Sequence, residues 1–158
     1  MIDRESLPYR PAVGVMLLNR EGQVFVAQRL DSTLEAWQMP QGGLDKGEDE
    51  VAGALRELEE ETGIRPEHVE IVARHPEPLF YELPDDLLGK IWKGKWRGQR
   101  QTWFLCRFTG RDADVNIDTP EPEFRAWKWA DPQELPAMIV PFKRKLYEDL
   151  LTAFSAWL

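Results

Sequence analysis

The segment from Gly42 to Ile64, GGLDKGEDEVAGALRELEEETGI, constrains the fold more than any other. A glycine-rich turn leads into a run where Val51, Ala54, Leu55 and Leu58 recur at three- and four-residue spacing, which predicts an amphipathic helix. Gly63 supplies its stop. At about 100° per residue, Glu57, Glu60 and Glu61 fall together on a different, solvated arc, and Glu59 points elsewhere. Carboxylates three and four residues apart repel by a few tenths of a kcal/mol each, so the cluster calls for compensation. Hard oxygen ligands on one face suit Mg²⁺ or Mn²⁺, which bridge protein carboxylates to substrate phosphates.

Strands flank this helix. Ala12 to Leu18 and Gln23 to Arg29 are joined by Asn19, Arg20, Glu21 and Gly22 as a hairpin, and Val69 to His75, Gln101 to Phe108 and Phe124 to Trp129 are further candidates. A second helix is predicted from about Phe142 to the C-terminus, with Leu146, Leu150, Phe154 and Trp157 or Leu158 as an apolar stripe that needs a sheet to cover. The 158 residues contain no repeat or linker, so a single domain over 1–158 is expected. Helices on both faces of a mixed sheet make its class α/β, an α/β/α sandwich.

Composition excludes several function classes. No window approaches the roughly 18 consecutive apolar residues of a spanning helix, and the start MIDRESLPYRP lacks a signal-peptide pattern, so a cytoplasmic chain with no membrane partner is expected. Cys106 is the only cysteine, which excludes an internal disulfide, and the run WFLCRF makes it a packed thiol. His68 and His75 lack partners at ligand spacing and receive no catalytic role. The net charge of −8 is unevenly spread: seven acidic residues lie between Glu48 and Glu61, and seven Lys or Arg with no acid lie from Leu87 to Arg111. An acidic centre beside a basic flank suits a metal next to a polyanion, and DNA is not expected as a partner. Oligomeric state is not legible.

Nine positions of the Gly42–Ile64 segment match the Nudix box at fixed spacing: Gly42, Glu48, Arg56, Glu57, Leu58, Glu60, Glu61, Gly63 and Ile64. Gly42, Gly43 and Gly47 let a loop bend close to a ligand, and Glu48 is placed to orient Arg56, which would hold the glutamates and temper their charge. The resemblance to the Nudix hydrolases implies the Nudix fold, with Glu57, Glu60 and Glu61 binding Mg²⁺ or Mn²⁺ and Glu123 beside them. Glu57, Glu60, Glu61, Glu123 and Arg56 are therefore the expected catalytic set, with Glu60, Glu61 and Glu123 open as the general base.

Further segments, YRPAVGVML, WQMPQGG, YELP, GQRQTWF, PEFRAWKW and PFKRKLY, resemble bacterial RNA pyrophosphohydrolases and the closely similar diadenosine tetraphosphate hydrolases of the same subfamily. The first class removes pyrophosphate from 5′-triphosphorylated RNA; the second splits a dinucleoside tetraphosphate into ATP and AMP. By that resemblance Arg10 and Arg29 meet substrate phosphates, Tyr81 and Phe142 stack on a base, and Lys143 contacts phosphate or lies on the solvated side of the last helix. Gly42 and Gly43 belong to the same substrate-binding set. The stretch Gly89 to Gln101 interleaves Trp92 and Trp96 with Lys90, Lys93, Lys95, Arg97 and Arg100, a pattern suited to an RNA strand. A silent nucleotide-sensing module and an RNA-binding domain are the competing readings, and the intact box argues for the hydrolase.

Overall fold

The computed structural model describes residues 2–158. Seven strands form one sheet: β1 (Tyr9–Leu18), β2 (Val24–Arg29), β3 (Gln41–Gly43), β4 (Val69–Arg74), β5 (Leu79–Glu82), β6 (Gly98–Phe108) and β7 (Phe124–Ala130). Three α-helices accompany them, α1 (Glu50–Thr62), the short α2 (Leu135–Met138) and α3 (Arg144–Ala153). The strand order is β4-β6-β1-β2-β7, with β3 also paired to β1 and β5 to β6. β1 and β6 run parallel and the other pairs antiparallel, so the sheet is mixed. Asn19 closes the predicted hairpin: its Oδ1 accepts from the N–H groups of Glu21 and Gln23, and Gly22 takes φ 77°.

β1 is buried from Ala12 to Leu18 because both of its faces are covered. Alternation sends Val13, Val15 and Leu17 to one face, where Phe25, Phe104 and Cys106 meet Ala54 and Leu58 of α1. Met16, Leu18, Val26, Trp103 and Leu105 go to the other face and meet Leu146, Tyr147 and Leu150 of α3 and Phe154 just after it. The predicted sandwich is thus the observed one. Cys106 is a packed thiol whose pKa burial pushes up to about 12. No helix among the described residues is long and apolar enough to cross a membrane.

Several details differ from the sequence expectation. The buried stripe of α1 is Ala54, Leu58, Glu61 and Thr62, so Glu61 lies in the interior and not on a solvated arc. Val51, in the first turn, is exposed, and Leu55 faces a shallow groove with Pro66 and Thr119 instead of the sheet core. α3 ends at Ala153, and Trp157 and Leu158 lie beyond it, both exposed. Phe142 precedes α3 in a 3₁₀ turn. The strands β3 and β5 were not expected, and β6 begins at Gly98, which turns the end of the basic stretch into paired strand.

Candidate active site

Strand direction brings the candidate residues together. β1 and β6 begin at the end of the sheet where β2 finishes and β7 starts, so Arg10, Gln99, Arg29 and Glu123 share one edge. With Gln41, Gly42 and Gly43 from β3 and Glu57 from α1 they line a cavity of about 390 Å³, completed by Leu30, Asp31, Trp92 and Pro122. A β-bulge sits at this edge: Gln28 pairs with Ala126 but Arg29 with Phe124, leaving Arg125 extra. Arg125 spends its freedom as a clamp, donating to the carbonyls of Ser32 at 2.6 Å and Leu34 at 2.9 Å. The bulge also brings Glu123 beside Leu30, whose N–H donates to the Glu123 carbonyl at 2.8 Å.

Arg56 is the hub of the helix face. Its Nε donates to Glu48 Oε2 at 2.7 Å and Nη2 to Glu48 Oε1 at 2.8 Å, a bidentate pair. Nη1 reaches both Glu57 and Glu60 at 3.0 Å, and Nη2 also donates to the Gly43 carbonyl at 3.1 Å. The guanidinium holds the Glu48 carboxyl down at about 2. The Glu48–Arg56 ion pair expected from the sequence is therefore present. Gly42 and Gly43 contribute space more than flexibility: a Cβ on Gly42 would collide with the Glu57 carboxylate and one on Gly43 with the Arg10 guanidinium. Only Gly47 of the three takes a positive φ, 76°.

The four glutamates differ in environment. Glu61 is 1% exposed and neither carboxylate oxygen has a hydrogen-bond partner. Burial, then the charges of Glu123 and Glu57, raises its pKa well above the ordinary range. Glu57 is raised by burial and held back by Arg56, and its charge is one of those that raise Glu61. Glu123 is raised by burial against the opposing pull of Arg29. Glu60 is 58% exposed and turned onto Arg56. Among the described residues no three carboxylates, thiolates or imidazoles stand close enough to enclose a cation unaided. The orphaned Glu61 oxygens beside a second carboxyl of raised proton affinity nevertheless fit a divalent cation, because no donor among the described residues satisfies them.

On the substrate side, Arg10 and Arg29 both line the cavity. Arg29 is gripped by Asp31 through two contacts of 2.7 Å. Arg10 forms no ion pair among the described residues; its guanidinium carbon lies 5.6 Å from the centroid of the Trp92 ring. Tyr81 is buried in the α3-side core, so it does not present a stacking face to solvent, whereas the Phe142 ring beside it, 5.8 Å away, is partly exposed. Lys143 is not on a solvated helix side. It is buried, with Nζ 4.8 Å from the Tyr81 ring centroid, and burial pushes its pKa down to about 7. In the basic stretch Lys90, Lys93, Lys95 and Arg100 are exposed, but Arg97 is bound to Glu82 at 2.8 Å and serves the fold.

Sequence reasoning assigned no role to Asp31, Gln41, Gln99 or, within the pocket, Trp92. For Gln99 a signal existed: Gln99, Gln101 and Trp103 alternate along β6 on one face. There the Gln101 amide donates to Gln41 at 2.7 Å and Gln99 at 2.8 Å, and the Trp103 indole N–H donates to Gln101 at 2.8 Å. This chain of bonds fixes the cavity floor.

A helix carrying paired carboxyls at the end of a mixed sheet defines the class, and the NUDIX domain model matches residues 8–150. The chain belongs to the Nudix family. Among individual proteins it is 60% identical over 155 residues to the RNA pyrophosphohydrolase of Sphingopyxis alaskensis, covering 98% of each chain. It is 58% identical over 152 residues to the RNA pyrophosphohydrolase of Roseobacter denitrificans, covering 96% of this chain and 95% of that one. The solved structure of a C. elegans Ap4A hydrolase binary complex is similar at TM-score 0.68 and 26% identity, covering 94% of this chain and 99% of that one.

Proposed function

We propose that the chain is a divalent-metal-dependent pyrophosphohydrolase that removes pyrophosphate from 5′-triphosphorylated RNA. One observation carries the reading: the Glu57–Glu61 pair, raised in proton affinity by burial, shares one end of the sheet with Arg10 and Arg29. Such a carboxyl pair is costly to ionise until positive charge reaches it, and of the two guanidiniums in the cavity Arg29 is paired with Asp31 while Arg10 has no ion pair among the described residues. A polyphosphate delivered with a cation satisfies both demands. The near-full-length likeness to chains named RNA pyrophosphohydrolase supports RNA as the substrate, as do exposed Lys90, Lys93 and Lys95 beside Trp92.

When bound, Mg²⁺ or Mn²⁺ neutralises phosphate oxygens and activates water. Glu57 and Glu61 would hold it, with Glu60 and Glu123 as the further carboxylates of the site. Arg10 and Arg29 hold phosphates through paired N–H donors, and Arg56 keeps Glu48, Glu57 and Glu60 in place. Phe142 offers its exposed ring to the first base. Glu60, Glu61 and Glu123 are the candidates to take a proton from the attacking water, and Glu123 stands on the cavity wall beside Arg29. The whole chain acts as one domain in this reading, since Arg4 pairs with Glu82 at 3.0 Å and Phe154 packs in the core. With RNA as its substrate the chain is expected to act in the cytoplasm.

Incubation with 5′-triphosphorylated RNA tests the proposal. Pyrophosphate and 5′-monophosphorylated RNA are expected with Mg²⁺ or Mn²⁺ and not with chelator, and Glu61→Gln is expected to lose about 100-fold or more in rate. Absence of product from the wild type with either metal would overturn it.

A further inference from the structure

The Arg10 guanidinium touches two surfaces. A Cβ on Gly43 would collide with it, and the Trp92 ring faces it at 5.6 Å. No carboxylate among the described residues holds it, unlike Arg29, which Asp31 grips. A long side chain without an ion pair samples many rotamers, so its aim depends on these two contacts.

Trp92 itself is held in an unusual way. Trp92 and Lys93 take φ 52° and 58°, the left-handed region that residues with a Cβ avoid. Two such residues in succession persist only where the surroundings over-determine them. Here the loop is tied throughout: the Gly94 N–H donates to the Ile91 carbonyl at 3.0 Å and the Lys95 N–H to the Trp92 carbonyl at 3.2 Å. The Arg97 N–H donates to the Pro8 carbonyl at 3.0 Å, joining the loop to the start of β1 just before Arg10. Ile91 and Trp92 pack against the α3-side core. The backbone therefore carries strain at the residue that lines the cavity and faces Arg10.

We propose that Trp92 is the positioning residue for Arg10: its ring fixes the guanidinium at the cavity wall, ready for the substrate's phosphates. The inference rests on the cavity receiving a polyphosphate. It assigns to the left-handed turn a purpose, which is to present the indole face to a cation that no carboxylate among the described residues holds. Trp92 does not touch the reacting atoms in this account and acts through Arg10 alone.

A double-mutant cycle of Trp92→Ala and Arg10→Ala tests this by two readouts: affinity for imidodiphosphate with Mg²⁺, by calorimetry, and kcat and KM on 5′-triphosphorylated RNA. Trp92→Ala is expected to weaken imidodiphosphate binding about tenfold and raise KM more than it lowers kcat. It should do nothing further once Arg10 is alanine, and Trp92→Phe should retain most of the affinity. Thermal melts check that each variant folds; should Trp92→Ala fail, Trp92→Leu against Trp92→Phe carries the test, since only Phe keeps a π face. Wild-type behaviour of Trp92→Ala, or an equal loss with and without Arg10, would overturn the proposal. If the wild type hydrolyses neither RNA nor diadenosine tetraphosphate, the functional reading fails, and the imidodiphosphate cycle still decides whether Trp92 acts through Arg10.

Discussion

Glu61 illustrates what a spacing rule leaves out. Its place with Glu57 and Glu60 on the helix was legible from three- and four-residue spacing, but its depth was not, because depth is set by how α1 rotates against the sheet. Burial makes its charge costly, and that cost has a pH signature. Glu61, Glu57 and Glu123 keep their protons above the ordinary 4.5 in the folded chain. Between 4.5 and their raised values the folded state binds more protons than the unfolded one, so stability falls as pH rises through that window. Glu48, held at about 2 by Arg56, acts oppositely: its contribution is present above 4.5 and is lost as pH falls toward 2. In metal-free protein the melting temperature is therefore expected to decline on going from about pH 5 to about pH 8, and Glu61→Gln to remove much of the decline. Mg²⁺ should raise it more at about pH 8 than at about pH 5. Melts in chelator with a pH series read this directly; a Glu61→Gln variant less stable than wild type at the higher pH would contradict it.

Among the elements, α1 was read correctly at its C-terminal end and misread along part of its apolar stripe. Asp49 caps its start, with a carboxylate accepting from the Ala52 N–H at 3.0 Å, and Gly63 ends it at φ 72°. The apolar pattern named Leu58 correctly but also named Val51 and Leu55, which local spacing cannot distinguish from core because only the packed sheet decides. Leu58→Ala removes a side chain that is 1% exposed and should cost about 2 to 5 kcal/mol. Val51→Ala, at an exposed position, should cost no more than about 0.5 kcal/mol. Denaturant titration of the pair checks the orientation of the helix, and equal losses would mean that the stripe lies elsewhere. The short strands β3 and β5 were not legible since three or four residues hold too little alternation to register. Trp92 gave no sign of its role, because a left-handed residue with a side chain leaves no mark in the sequence.

For the whole molecule, the sandwich followed from alternating strands and two amphipathic helices, while the convergence of Arg10, Arg29, Gln99 and Glu123 required the strand directions, above all the parallel β1–β6 pair. The split between acidic helix and basic flank survives folding in part: Arg97 is neutralised by Glu82, and Lys90, Lys93 and Lys95 remain exposed on the loop that carries Trp92. Those exposed cations bear on substrate choice, since they can follow the phosphates of a chain that extends past the cavity and have less to hold in a short dinucleotide. The most direct test of the central claim is therefore kcat/KM with Mg²⁺ on 5′-triphosphorylated RNA and on diadenosine tetraphosphate, each across a salt series. The account predicts a higher efficiency on RNA with a steeper fall as salt rises; a preference for diadenosine tetraphosphate, with the same salt dependence for both, would contradict it.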